Sequence, residues 1–168
     1  LDDGLLGGNV AVNISGVQVR RGDLADVVRR TLQKTGLPAE MLELEISESF
    51  IMGESGRAIK LLRELRDLGL TLAIDDFGTG YSSLSYLKAL PIQRLKIDKS
   101  FIRDIPDDKN NMAITCAIIA MARSLNLELV GEGVETETQR RFLLDEGCRF
   151  GQGYLFHHSV GADQMHQL

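Results

Sequence analysis

The stretch Thr71–Ser83, TLAIDDFGTGYSS, decides how this 168-residue chain is read. It opens as a short apolar run and ends in two adjacent carboxylates, Asp75 and Asp76, before a Gly-Thr-Gly turn and a Ser pair. An apolar run bounded by glycine reads as a buried strand that empties into a loop. Two carboxylates at a strand end repel each other unless positive charge lies between them. A divalent cation answers that need, because hard oxygen ligands suit magnesium or manganese.

Working outward, further strands carry polar groups at equivalent places. Val10–Ser15 is an apolar run holding one amide, Asn13. Leu42–Ile46, LELEI, puts Glu43 and Glu45 on one side and Leu44 on the other. Arg94–Asp98, RLKID, sets Lys96 and Asp98 on one side. Glu128–Val130 leads into Gly131-Glu132-Gly133, and Arg149–Phe156 contains Gln152. Between these runs, helical spacing predicts helices over Asp23–Thr35, about Ser55–Leu68, Leu84–Ala89, about Asn110–Leu125 and Thr136–Glu146, with a weak one at the C-terminus. Thr136 reads as an N-cap and Gly147 as the residue beyond the helix end. Strand and helix thus alternate six times, which predicts an α/β protein with a parallel sheet.

In a parallel α/β barrel the active site is built from the carboxyl ends of the strands. Six successive strands that each offer an amide, carboxylate or ammonium point to one shared mouth. Each residue alone has a plainer reading. Asn13 fits a turn amide, Glu43 an exposed strand residue, Lys96 a surface lysine and Glu132 or Glu135 a helix-end charge. His157, His158 and His166 read as surface residues. Asp76-Phe77-Gly78 lacks the other parts of a kinase, and Gly131-Glu132-Gly133 lacks the third glycine of a dinucleotide fingerprint. Oxygen ligands from several strands beside a lysine suit two-metal phosphodiester hydrolysis on a TIM-like barrel.

Composition narrows the partners. Hydrophobic residues make up 43% and charged residues 26%, ordinary for a globular domain. The net charge of −5 gives no general attraction to nucleic-acid polymers or anionic membranes. Cys116 and Cys148 form no CxxC pair and read as buried, reduced thiols, as in a cytoplasmic protein. No apolar run approaches the ~20 residues of a membrane span, so direct membrane insertion is not expected, although a longer parent chain could be anchored. The chain starts at Leu1 rather than Met, as a piece of something longer would.

The motifs VNIS, LELEISES, DDFGTGYSS, LKIDKSF, VGEGVET and GQGYLF, in this order, resemble the EAL-domain family of bacterial cyclic di-GMP phosphodiesterases from about Val10 to Phe156. The resemblance implies hydrolysis of cyclic di-GMP to linear pGpG with two Mg2+ or Mn2+ ions. It implies metal ligands at Asn13, Glu45, Asp75 and Glu132, with Asp76 and Asp98 on the side of the second metal. It gives Lys96 a catalytic and substrate-binding role, Glu135 a supporting catalytic role and Gln152 a place against substrate. Glu48 would anchor the DDFGTGYSS loop, which links the site to a homodimer contact. The tripeptide that names the family is absent, and with it one glutamate ligand and a neighbouring arginine. A TIM barrel takes ~250 residues, so residues 1–168 are expected to be a partial EAL domain without the first strands and helices, joined in its parent to regulatory domains. Weak turnover by the chain alone is expected, as are dimerisation or strand exchange at its open edges. The other reading is an impaired module that binds cyclic di-GMP as a receptor.

Overall fold

The computed structural model describes residues 8–52, 56–80, 84–161 and 164, with Met52 and Arg57 described in backbone only. Six parallel strands lie side by side in sequence order: β1 Val10–Ile14, β2 Leu42–Ser47, β3 Thr71–Phe77, β4 Arg94–Ile97, β5 Glu128–Glu132 and β6 Phe150–Gln152. The sheet curls into part of a TIM-like α/β barrel, and β1 and β6 are its edges. The long helices are α2 Leu24–Thr35, α4 Gly56–Asp67, α7 Lys109–Ser124 and α8 Glu137–Glu146; α5, Leu84–Ala89, is shorter. Most of the expected terminal helix lies outside the described residues, as do His166, Tyr81–Ser83 of the glycine-rich loop and Ser55, from which the helix ending near Leu68 was expected to start.

Period-2 alternation gives the sheet two unlike faces. Leu44, Ile46, Leu72, Ile74, Leu95 and Ile97 point outward and are almost wholly buried beneath the helices. The alternate residues, Glu43, Glu45, Asp75, Arg94, Lys96 and Glu132, meet one another on the inner face. Apolar burial therefore stabilises the wall from outside, while the inside is free to carry charge.

Three short helices follow strands directly: α1 Gly16–Arg21, α3 Glu48–Met52 and α6 Lys99–Ile102. None is long enough to show a helical period, and none was expected from spacing. Ser15, read as a strand residue, is the N-cap of α1 in a reciprocal capping box with Gln18. Thr136 does cap α8, again in a capping box with Gln139, and Gly147 ends that helix in the left-handed region. The sixth strand is shorter than Arg149–Phe156. Pairing stops at Gln152, where Val134 N–H donates to the Gln152 carbonyl and Leu155 N–H donates to that of Val134.

Candidate active site

The site sits at the carboxyl ends of β2 to β6, around Lys96. Its side chain is 5% exposed, and Nζ lies 2.8 Å from Glu45 Oε1, 2.7 Å from Glu132 Oε1 and 3.1 Å from Asp75 Oδ1. The surface-lysine reading is thereby excluded. Burial disfavours the ammonium, but hydrogen bonds to Glu132 and Glu45 and the charges of Glu132 and Asp75 outweigh it and hold Lys96 well above the usual lysine range. Lys96 is a fixed cation here.

One ammonium does not neutralise three carboxylates. Glu132 is pushed up to about 7, by burial first and then by Asp75, against the pull of Lys96. Asp75 Oδ1 is buried and, although 3.1 Å from Nζ, lacks the alignment of a hydrogen bond. A buried carboxylate oxygen without a hydrogen-bond partner is costly unless a cation completes it. Ligand atoms of Asp75, Asp76 and Glu132 lie within 4.8 Å of one another, so the three could share an ion. The all-oxygen chemistry suits a hard divalent cation, and the residues present fit one.

How two consecutive residues reach one mouth is set by the backbone. On a regular strand Asp75 and Asp76 would face opposite sides. The β3–β4 register shifts between Ile74 and Phe77, and Asp76 takes a left-handed conformation with φ of 53°. That irregularity redirects the second carboxylate, and aspartate is among the few side chains that tolerate it. Burial and the charges of Asp75 and Asp98 raise the Asp76 pKa, and a hydrogen bond to Asp98 raises it further. Asp98 opens α6: its Oδ1 accepts from Ser100 N–H at 2.9 Å and from the Ser100 hydroxyl. Burial opposes its ionisation, but the Ser100 and Asp76 hydrogen bonds prevail and lower its pKa.

The remaining candidates stand at graded distances from this centre. Asn13 is exposed on β1 and in register with Glu45, and Gln152 is exposed on β6 and in register with Glu132. Gln152 borders a cavity of about 280 Å³ together with Asp75, Asp76, Asp98, Lys99 and Glu132. Glu135 is exposed beyond β5. Its N–H donates to Gln139 Oε1 at 2.8 Å, and its charge acts on Arg103. Gln139 Nε2 in turn donates to the Arg103 carbonyl at 2.9 Å, which ties the segment after Glu132 to the segment after α6. His157 and His158 are exposed.

Glu48 is fully buried, and its Oε2 accepts from Gly78 N–H at 2.9 Å and Gly80 N–H at 3.1 Å. Gly78 has φ of 103°, and a Cβ at Gly80 would lie 3.2 Å from the Glu48 carboxyl carbon. The glycines thus bring the loop backbone onto the carboxylate.

Two features escape sequence reasoning. Glu43 is not exposed: it is 3% exposed and ion-paired to Arg94, whose Nη2 also lies 2.7 Å from Glu128 Oε2. Its partner is 51 residues away, and only the Arg94/Lys96 alternation facing the Glu43/Glu45 alternation hints at the match. Lys99 also borders the cavity; its place just after LKID was the available signal. Cys148 is buried and Cys116 only partly so, and both are free.

Fold and site together define a class: a TIM-like α/β protein whose strand ends gather carboxylates around a lysine, with room for cations. The EAL domain family matches residues 4–159, and the chain belongs to that family. It is 52% identical over 147 residues to the cyclic di-GMP phosphodiesterase NbdA of Pseudomonas aeruginosa, covering 88% of this chain and 19% of that protein. Among solved structures, it matches PaMucR phosphodiesterase in a c-di-GMP complex with a TM-score of 0.93 and 44% identity, over 98% of this chain and 66% of that one. It also matches Klebsiella pneumoniae BlrP1 in a manganese/cyclic di-GMP complex, with a TM-score of 0.84 and 30% identity, over 92% and 40%. The chain spans about a fifth of the length of the curated relatives it matches. Among the described residues no helix is long and apolar enough to cross a membrane.

Replacing Glu48 by Gln is expected to speed amide exchange at Gly78 and Gly80 and to cost ~1–3 kcal/mol, because a charge-assisted acceptor becomes a weaker one. Unchanged exchange at both amides, measured by NMR, would remove Glu48 as the anchor of this backbone. A second expectation concerns metal-free stability. The Glu132 pKa lies above its ordinary value of 4.5, so its contribution is full below pH 4.5 and is lost as pH rises through about 7. In chelator at pH 8, Glu132→Gln should therefore melt higher than the parent by roughly 2–4 °C per kcal/mol relieved, with the two converging near pH 4.5. A lower melting point at pH 8 would contradict this charge balance.

Proposed function

We propose that the chain is the larger part of an EAL catalytic domain that hydrolyses cyclic di-GMP to linear pGpG with two divalent ions, Mg2+ or Mn2+. The observation that carries the reading is the Lys96 cluster, in which one ammonium serves three carboxylates and a buried Asp75 oxygen is left for a cation. The names of the relatives and the c-di-GMP complex of a structural neighbour support cyclic di-GMP as the substrate. Charge supplies the logic. The substrate carries two phosphodiester anions, and an acidic cavity repels it unless cations lie between.

Asp75, Asp76 and Glu132 would hold one cation, with Asn13, Glu45 and Asp98 completing the set. Cations held there supply Lewis-acid polarisation of the phosphodiester and a nucleophile at neutral pH. In the reaction a water oxygen bonds to phosphorus, the bond to the ribose 3′-oxygen breaks, and that oxygen takes a proton, leaving a 5′-phosphate. Lys96, kept charged by its carboxylates, stabilises the negative charge that grows on the phosphoryl oxygens and does not act as a base. Gln152, on the cavity wall, orients substrate. Glu135, just beyond β5, is a supporting acid of the reaction, and Glu48 fixes the glycine-rich loop. We further propose that the family tripeptide, with its glutamate ligand, lies upstream in a longer protein carrying regulatory domains. On that reading the 168 residues alone turn over slowly, and a homodimer of cytoplasmic domains is the working unit.

Chromatography of cyclic di-GMP incubated with the complete domain and Mn2+ tests this. It should show pGpG, abolished by a chelator and reduced ~100-fold or more by Lys96→Met. Tight binding of cyclic di-GMP without any pGpG would replace the enzyme by a receptor. Fast turnover by the 168 residues alone would show that the missing glutamate is dispensable.

A further inference from the structure

Beneath the Lys96 cluster lies a second charged layer that the proposed chemistry does not use. Arg94 precedes Lys96 by two residues on β4 and shares its face, as Glu43 precedes Glu45 on β2. Arg94 Nη1 contacts Glu43 Oε2, Nη2 lies 2.7 Å from Glu128 Oε2, and Nε donates to that same oxygen at 3.2 Å. The guanidinium also lies 5.8 Å above the Phe150 ring. β3 runs between β2 and β4, and its inward residues at these levels are Thr71 and Ala73. Both are small, so the long cations of β4 reach over β3 to the carboxylates of β2.

This arrangement contains a competition. Glu43 and Glu45 are successive inward residues of one strand, ~6–7 Å apart along it. Lysine is a point charge on a flexible stem, whereas arginine presents a rigid fork. Glu43 is buried; burial raises its pKa, and the charges of Arg94 and then Lys96 pull it back down, so both cations of β4 already act on this carboxyl group. Were Arg94 not on Glu43, the Lys96 ammonium would have a second buried carboxyl group to choose, one layer below Asp75 and Glu132.

We propose that Arg94 is a positioning residue: by occupying Glu43 it confines the Lys96 ammonium to the upper layer, against Glu45, Asp75 and Glu132. This assignment rests on the phosphodiesterase reading for its effect on turnover, but not for its effect on cation binding. Ala73 belongs to the same device, because a larger side chain there would block the reach of both cations.

The test compares Arg94→Met with the double variant Glu43→Gln/Arg94→Met. Mn2+ affinity is measured by calorimetry on the chain, and turnover of cyclic di-GMP on the complete domain. Arg94→Met should tighten Mn2+ binding several-fold, because the upper carboxylates lose their ammonium to Glu43. It should lower kcat ~10-fold or more with KM within ~2-fold. The double variant removes the competing anion and should return both quantities to within ~3-fold of the parent. A merely structural role predicts the opposite order, with the double variant the worse. No change in Arg94→Met, weaker Mn2+ binding, or a double variant no better than the single one would overturn the assignment. Should Arg94→Met fail to fold, Glu43→Gln decides: kcat within ~2-fold supports the assignment, and a ~10-fold loss makes Glu43 itself a participant and refutes it. A parent domain that shows the Mn2+ pattern but no turnover would sink the phosphodiesterase reading and leave Arg94 in its role.

Discussion

One buried ammonium shared by three carboxylates is the constraint on which the site depends. Lys96 reaches Glu45 on β2, Asp75 on β3 and Glu132 on β5, so it binds three strands into one charged centre. In an apolar interior such a cluster costs more desolvation than its pairing returns. It persists because the outer face of the same strands, lined by Leu44, Ile46, Leu72, Ile74, Leu95 and Ile97, stabilises the sheet independently. Division of labour between the two faces lets the inner one hold excess negative charge, which shows in the raised pKa of Glu132. The same excess makes the centre a place for cations and, through them, for an anionic substrate.

Local backbone geometry completes what the sheet begins. A regular β3 would offer the mouth a single carboxylate; the register shift and the left-handed Asp76 offer it two. Asp76 leads into Gly78 and Gly80, whose amides are held by Glu48. A displacement of that loop would therefore be felt at Asp76 within a few bonds, and so at the cation site. Asp98 works similarly just past the end of β4, capping α6 through Ser100 while sharing a hydrogen bond with Asp76.

Much of this was legible in the order of residues, and the exceptions have physical causes. The alternation of Glu43-Leu44-Glu45 and Arg94-Leu95-Lys96 announces two-faced strands, and Thr136 and Gly147 mark the start and end of α8. The burial of Glu43 was not legible, because it depends on Arg94, a partner brought in by the sheet rather than by proximity in the chain. The facing of Asp76 was not legible either, since period-2 reasoning assumes an unbroken strand. α1, α3 and α6 hold four to six residues each, too few for periodicity to speak. β6 was overread because its apolar residues Leu155 and Phe156 continue past the point where Val134 takes over the hydrogen bonding.

Crystals of the complete domain grown with Mn2+ and a non-hydrolysable cyclic di-GMP analogue would test the central claim most directly, through the anomalous signal of manganese. The account predicts peaks bounded by Asp75, Asp76 and Glu132, with a phosphate between them and Lys96 Nζ. Manganese bound elsewhere, or an analogue seated away from Lys96, would contradict it.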